Sequence, residues 1–157
     1  MDDRQPWDHF FLELAKFYSM RSRDPSTKVG AVIVRRDNTV ASLGYNGFSR
    51  HMSDDVSLYC DRTKKYARVI HAEMNAILTA REPLEGYTLY TWPFMPCERC
   101  AVHVIQSGII RVVAPEPSDF DKAERWSDNF KSAMAFFNEA GVEVNLYKDT
   151  FDGWRRS

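Results

Sequence analysis

Two short runs constrain this chain more than anything else in it: His71-Ala72-Glu73-Met74-Asn75 and, about twenty residues further on, Pro96-Cys97-Glu98-Arg99-Cys100. One imidazole and two thiolates form a donor set for Zn²⁺, three protein ligands that leave a fourth position open to water. A fold that uses them must bring two separate segments to one point. Two thiolates offset the charge of the ion, yet it still lowers the pKa of its water from about 15.7 toward about 7. Glu73, two residues beyond His71, is not needed as a ligand. It is therefore free to take the proton of that water and pass it to a leaving group.

The competing expectation is a structural zinc site closed by His103 as fourth ligand. If Pro96 opens a helix, Cys97 and Cys100 lie about 60° apart near its N-terminus, whereas His103 lies about 9 Å along the axis from Cys97 and is rotated away. The spacing therefore favours an open, catalytic site over a closed one. H-x-E followed by P-C-x-x-C is also the signature of zinc nucleobase deaminases, in which the carboxylate carries protons and does not bind metal.

With 157 residues, 44% of them hydrophobic and 27% charged, the chain is expected to form one domain over residues 1–157. No run approaches the roughly 18 apolar residues of a membrane span, and the start Met-Asp-Asp-Arg-Gln-Pro lacks the apolar stretch of a signal peptide. A cytoplasmic location follows as the expectation. Cys60, left over once two cysteines are given to metal, suits a reducing compartment better than a disulfide framework. The net charge of −1, with acids and bases interspersed, offers no electrostatic footprint for a nucleic-acid polymer and favours a small substrate. The basic run Arg62, Lys64, Lys65 and Arg68 reads as a solvated helix face, with a phosphate site as the alternative.

Periodicity places the remaining elements. Trp7, Phe10, Phe11, Leu14 and Phe17 recur at helical spacing and predict an amphipathic helix from Trp7 to about Met20, its aromatic stripe in the core. Pro25 forces the polar stretch Arg21 to Lys28 out of helix. Val29 to Val34 reads as a buried strand, and Thr39 to Gly44 returns as the second strand of a hairpin. In Gly44-Tyr45-Asn46-Gly47 the glycines permit a tight bend or close approach to a ligand. Asn46 then either reads a nucleoside through its amide or serves as a turn residue. Residues 48–63 show no clear period and are expected to form a functional loop or lid.

A helix beginning at His71, a strand from Tyr87 to Trp92, the Cys97–Cys100 helix, a strand from Ile109 to Ala114, a helix from Lys122 to Ala140 and a strand from Val142 to Tyr147 complete the sequence of elements. The last crossover is long enough to let its strands run parallel. The expectation is a three-layer α/β/α sandwich around a five-stranded mixed sheet. In the tail, the aromatics of residues 151–157 are expected to pack on a neighbouring subunit.

Three stretches beyond the zinc motifs carry a resemblance: Ser22-Arg23-Asp24-Pro25 ahead of Val29-Gly30-Ala31, then Gly44-Tyr45-Asn46-Gly47, then His71-Ala72-Glu73-Met74-Asn75-Ala76-Ile77. Through them the chain resembles the deoxycytidylate deaminase family, within the cytidine deaminase fold, over nearly its whole length. The resemblance implies Zn²⁺ held by His71, Cys97 and Cys100, Glu73 as proton shuttle, Asn46 and the Ala72 backbone as nucleotide contacts, and a homo-oligomer, often a hexamer. It implies conversion of dCMP to dUMP and ammonia, with other cytosine nucleotides or modified bases as alternative substrates and tRNA or single-stranded DNA as less favoured ones. Arg23 and Lys28, at the edge where this fold places the cleft, are assigned to the 5′-phosphate, with solvated loop charges as the alternative. Many family members follow the glycine motif with a proline and a further glycine, in a segment linked to triphosphate regulation. Here Phe48-Ser49-Arg50-His51 stands instead, so control by dCTP and dTTP is not implied.

Overall fold

The computed structural model describes residues 3–117 and 122–148. Along the chain, α1 (Trp7–Ser19) leads into a hairpin of β1 (Gly30–Val34) and β2 (Val40–Tyr45). An excursion follows, made of β3 (Gly47–Phe48), α2 (Val56–Cys60), α3 (Arg62–Arg68) and β4 (Val69–Ile70). The rest alternates: α4 (Ala72–Thr79), β5 (Thr88–Trp92), α5 (Glu98–Gln106), β6 (Arg111–Pro115), α6 (Lys122–Ala140) and β7 (Glu143–Tyr147). The main sheet has the order β2-β1-β5-β6-β7. Strand β1 is antiparallel to both neighbours, whereas β5, β6 and β7 are parallel, as the helical crossovers through α5 and α6 allow.

Every residue of β1 is buried because both faces of the sheet are covered, which is why this strand reads as an unbroken apolar run. Ala31 and Ile33 face a core shared with Ala72 and Ala76 of α4, Ala101 and Val104 of α5, and Phe130 and Phe137 of α6. Val32 and Val34 face Phe11, Leu12 and Ala15 of α1. The expected three-layer sandwich is therefore the observed one.

Two glycines set the spacing between layers. A Cβ at Gly30 would lie 1.9 Å from the Ala15 carbonyl oxygen, and a Cβ at Gly44 would lie 2.3 Å from the Ala72 carbonyl oxygen and 2.5 Å from the Ala76 nitrogen. Helix α4 thus rests backbone-on-backbone against β2. The close approach that Gly44 permits is that of a helix.

The aromatic stripe of α1 divides. Phe11 is buried, but Trp7, Phe10 and Phe17 are exposed, Phe17 to 70%. The sheet covers one ridge of the helix, Phe11, Leu12, Ala15 and Ser19, and the neighbouring ridge stays outside. Residues 48–63 also depart from the expected loop. Asp55 caps α2 by accepting from the Ser57 amide at 2.8 Å, and Asp61 caps α3 by accepting from the Lys64 amide at 3.1 Å. Gly47 pairs with Ile70 and Phe48 with Val69, which closes the excursion at its base. The aromatic tail lies outside the described residues.

Candidate metal centre

Strand β4 delivers the chain straight to His71, which is the N-cap of α4, and the turn after β5 delivers it to Cys97, the N-cap of α5. Cys100 lies in the first turn of α5. Two helix N-termini therefore point at one spot, where their dipoles and unpaired amides favour thiolate over thiol. At that spot His71 Nδ1 lies 3.3 Å from the Cys100 sulfur and 3.6 Å from the Cys97 sulfur. The three donor atoms all lie within 4.8 Å of one another. A tetrahedral zinc with nitrogen at about 2.0–2.1 Å and sulfur at about 2.3 Å has N···S edges of about 3.6 Å, so the spacing fits that ion. The donor types fit it as well, being borderline-soft nitrogen and sulfur. His103 is exposed, its Nδ1 lies 2.7 Å from the Arg99 carbonyl oxygen, and it is not part of the donor group, so among the described residues no fourth side chain joins the three donors.

Glu73, in the first turn of α4, is 3% exposed. Burial pushes its carboxyl up, and the neighbouring imidazole only partly offsets this. Cys97 is held down at about 4, first by the Cys100 thiol that donates to it and then by His71. Cys100 is pushed up correspondingly, by its bond to Cys97, by burial and by the nearby Glu73 carboxylate. His71 is pushed up, chiefly by its bond to Cys97. The rotation of about 200° between helix positions two apart does not separate His71 from Glu73, because His71 stands before the helix and has extended backbone.

The other residues singled out in the sequence lie in the loop before β1, just after β2 and at the start of α4. Ala72 is fully buried, its backbone against Gly44. Asn46 is buried, and its Oδ1 accepts from the Val29 amide at 2.8 Å. Its Nδ2 donates to the Thr27 carbonyl at 2.9 Å and, more weakly, to the Asp24 carboxylate at 3.4 Å. Asn75 donates to the Tyr45 carbonyl at 2.7 Å, and Gly47 pairs with Ile70, so both neighbours of Asn46 are tied to the segment that carries His71. Lys28 donates to the Ser22 carbonyl at 2.6 Å, and Arg23 donates to the Asp54 carbonyl at 2.8 Å. The sequence pattern did not show that Asp24 and Lys65 pair. Within the basic run Arg62 and Lys64 are exposed as expected, but Lys65 turns inward to Asp24 at 2.7 Å. Lys65 carries no local signal, because its partner lies 41 positions away in sequence.

Residues 5–116 match the family described as the cytidine and deoxycytidylate deaminase zinc-binding region. The chain belongs to this family. All three metal-donor residues and Glu73 fall inside the matched region. Among the relatives of this deaminase-family chain is an uncharacterized deaminase from the luxG 3′ region of Aliivibrio fischeri, 40% identical over 88% of this chain and 91% of the relative. The deoxycytidylate deaminase of Homo sapiens is 38% identical over 93% of this chain and 82% of that protein. A solved structure of the dCMP deaminase from the cyanophage S-TIM5, in complex with dCMP and dUMP, superimposes with a TM-score of 0.73 at 22% identity, covering 92% of this chain and 99% of that one. The likeness fixes the cytidine deaminase-like fold, and the family is a zinc-binding one.

Proposed function

We propose that this chain is a zinc-dependent deoxycytidylate deaminase that converts dCMP and water to dUMP and ammonia. The observation that carries this reading is a three-donor His71, Cys97 and Cys100 cluster with a buried carboxylate, Glu73, that is not one of the donors. The similarity to deoxycytidylate deaminases supports the choice of nucleotide. When bound by these three side chains, zinc supplies the Lewis acidity that makes a water nucleophilic at neutral pH. Glu73 takes a proton from the water that attacks C4 of the cytosine and delivers it to the departing amino group, which leaves as ammonia. Its burial raises its proton affinity toward the range a shuttle needs, and its place in the first turn of α4 keeps the shuttle beside the donor cluster. Asn46 and the Ala72 backbone hold the nucleoside. Arg23 and Lys28 are the cations assigned to the 5′-phosphate, for which each would exchange its present carbonyl partner.

The same reading includes a homo-oligomer, supported by the apolar Phe17 and Met20 left exposed on α1. It also includes a reducing, cytoplasmic setting, supported by three free cysteines, two of them needed as thiolates. No helix among the described residues is long and apolar enough to cross a membrane. The test is ammonia release across dCMP, CMP, deoxycytidine, dCTP and an adenosine-containing RNA hairpin. The reading expects dCMP to give the highest kcat/KM; a preference for the hairpin or for free deoxycytidine would overturn it.

A further inference from the structure

We propose that Lys65 is a positioning residue for substrate binding, acting through Asp24 on the loop from Ser22 to Lys28 and on the Asn46 amide. The inference rests on the assignment of Asn46 to the nucleoside. Asp24 is 2% exposed, deeper than a carboxylate goes without a cation. The cation that meets it is Lys65, 2.7 Å from Oδ2 and 2.9 Å from Oδ1, on a side chain that is itself 15% exposed. The remaining acceptor capacity of Asp24 organises the loop: Oδ1 accepts from the Ser26 amide at 2.8 Å and from the Thr27 amide at 3.4 Å. Thr27 in turn presents its carbonyl to Asn46 Nδ2 at 2.9 Å. Ser22 closes the ring. Its hydroxyl donates to the Asn46 carbonyl at 2.8 Å, and the Asp24 amide donates to that hydroxyl at 3.2 Å.

The arrangement sets which way the amide of Asn46 points. Its Oδ1 is spent on the Val29 amide and one N–H on Thr27, while the second N–H reaches Asp24 at 3.4 Å. Lys65 occupies that same oxygen at the shorter distance, so the Asp24 charge is neutralised by the lysine and the contact to Asn46 stays long. That leaves the second N–H of Asn46 on a long contact, one that a substrate oxygen or nitrogen can win. Without the ammonium, Asp24 becomes an unpaired buried anion that draws in the nearest donors, and Asn46 Nδ2 is among them. Lys65 also spans two parts of the molecule. It belongs to α3, in the excursion that ends at His71, while Asp24 belongs to the loop before β1. Together with the Arg23 contacts to Asp54, the ion pair ties this loop to the excursion that ends just before His71.

The experiment measures KM and kcat for dCMP, zinc content and Tm in Lys65→Met, Lys65→Arg and Asn46→Ala. Lys65→Met should raise KM at least about tenfold with kcat within about threefold and zinc content unchanged, since a lost charge-assisted bond in a substrate-holding network is worth at least that factor. Lys65→Arg keeps the charge and should recover most of the loss. The double variant Asp24→Asn with Lys65→Met leaves no buried charge unpaired; it provides a folded test if the single variant does not fold, and its KM should also rise. A folded Lys65→Met or double variant with unchanged KM overturns the inference, as does a loss of activity that only follows zinc content or Tm. If Asn46→Ala raises KM while Lys65→Met does not, the Lys65 inference alone fails. If Asn46→Ala changes nothing, the assignment of Asn46 to substrate fails first.

Discussion

Each face of the sheet is packed against a helical carboxylate, half-buried Asp8 on one side and buried Glu73 on the other, and the fold treats the two in opposite ways. Asp8, on α1, accepts from both terminal nitrogens of Arg111 at 2.9 and 2.7 Å, from the Tyr90 hydroxyl at 2.8 Å and from the Tyr147 hydroxyl at 2.5 Å. Although burial alone would raise it, the bonds from Arg111, Tyr147 and Tyr90 hold its carboxyl down at about 2. Glu73, on α4, has no such cage: burial is the leading influence, and its proton affinity rises. An acid with a full set of donors is locked in one protonation state near neutrality and can only hold parts together. An acid raised by burial beside a metal-donor cluster is instead the kind suited to carry a proton.

The comparison can be broken most sharply at Glu73. Glu73→Gln should lower turnover at least about 10²-fold, the scale of general acid-base catalysis, while zinc content by elemental analysis and the far-UV spectrum stay as in the parent chain. Loss of zinc in that variant would make Glu73 a structural group like Asp8. Cys100→Ala should lose zinc and thermal stability together, because metal binding is coupled to folding. His103→Ala should retain both, and a loss of zinc there equal to that of the cysteine variant would turn the site into a structural one.

The smallest expected effect is on the other face. Asp8→Asn should destabilise the fold by about 1–3 kcal/mol, the range for bonds to a charged group, with kcat per folded molecule unchanged. Because the Asp8 carboxyl in the folded chain lies below its ordinary 3.8, at about 2, its contribution is present in full above about pH 4 and is lost as pH falls through about 2. Urea titrations of the parent chain and the variant should therefore converge as the pH falls across that window. Curves that stay equally far apart down to pH 2 would show that the cage does not depend on the Asp8 charge.

Much of the main sheet was legible because burial on both faces writes an apolar run, as in Gly30–Val34, and because the α6 crossover is long enough to permit parallel pairing. The metal cluster was legible because its donors have few other uses at that spacing. What the sequence did not reveal depends on partners far away in the chain. Nothing local to Lys65 distinguishes it from Lys64, yet one is paired with buried Asp24 and the other only with exposed Asp61. Nothing in the spacing says that His71 offers Nδ1, since that follows from its N-cap backbone. Helices α2 and α3 are too short for an apolar period, and their signal was in Asp55 and Asp61, aspartates placed two and three residues before the amides they cap. The glycine at 44 was visible, but the helix that needs the space was not.

The two-residue ladder of Gly47–Phe48 with Val69–Ile70 has a consequence for how such a chain can diversify. It closes residues 49–68 into a cassette whose ends are pinned immediately before His71. Doubling the length of a closed segment costs only about 0.6 kcal/mol in closure entropy. Insertions or exchanges within the cassette can therefore be absorbed while His71, Cys97 and Cys100 keep their spacing, so long as a cation remains to meet Asp24.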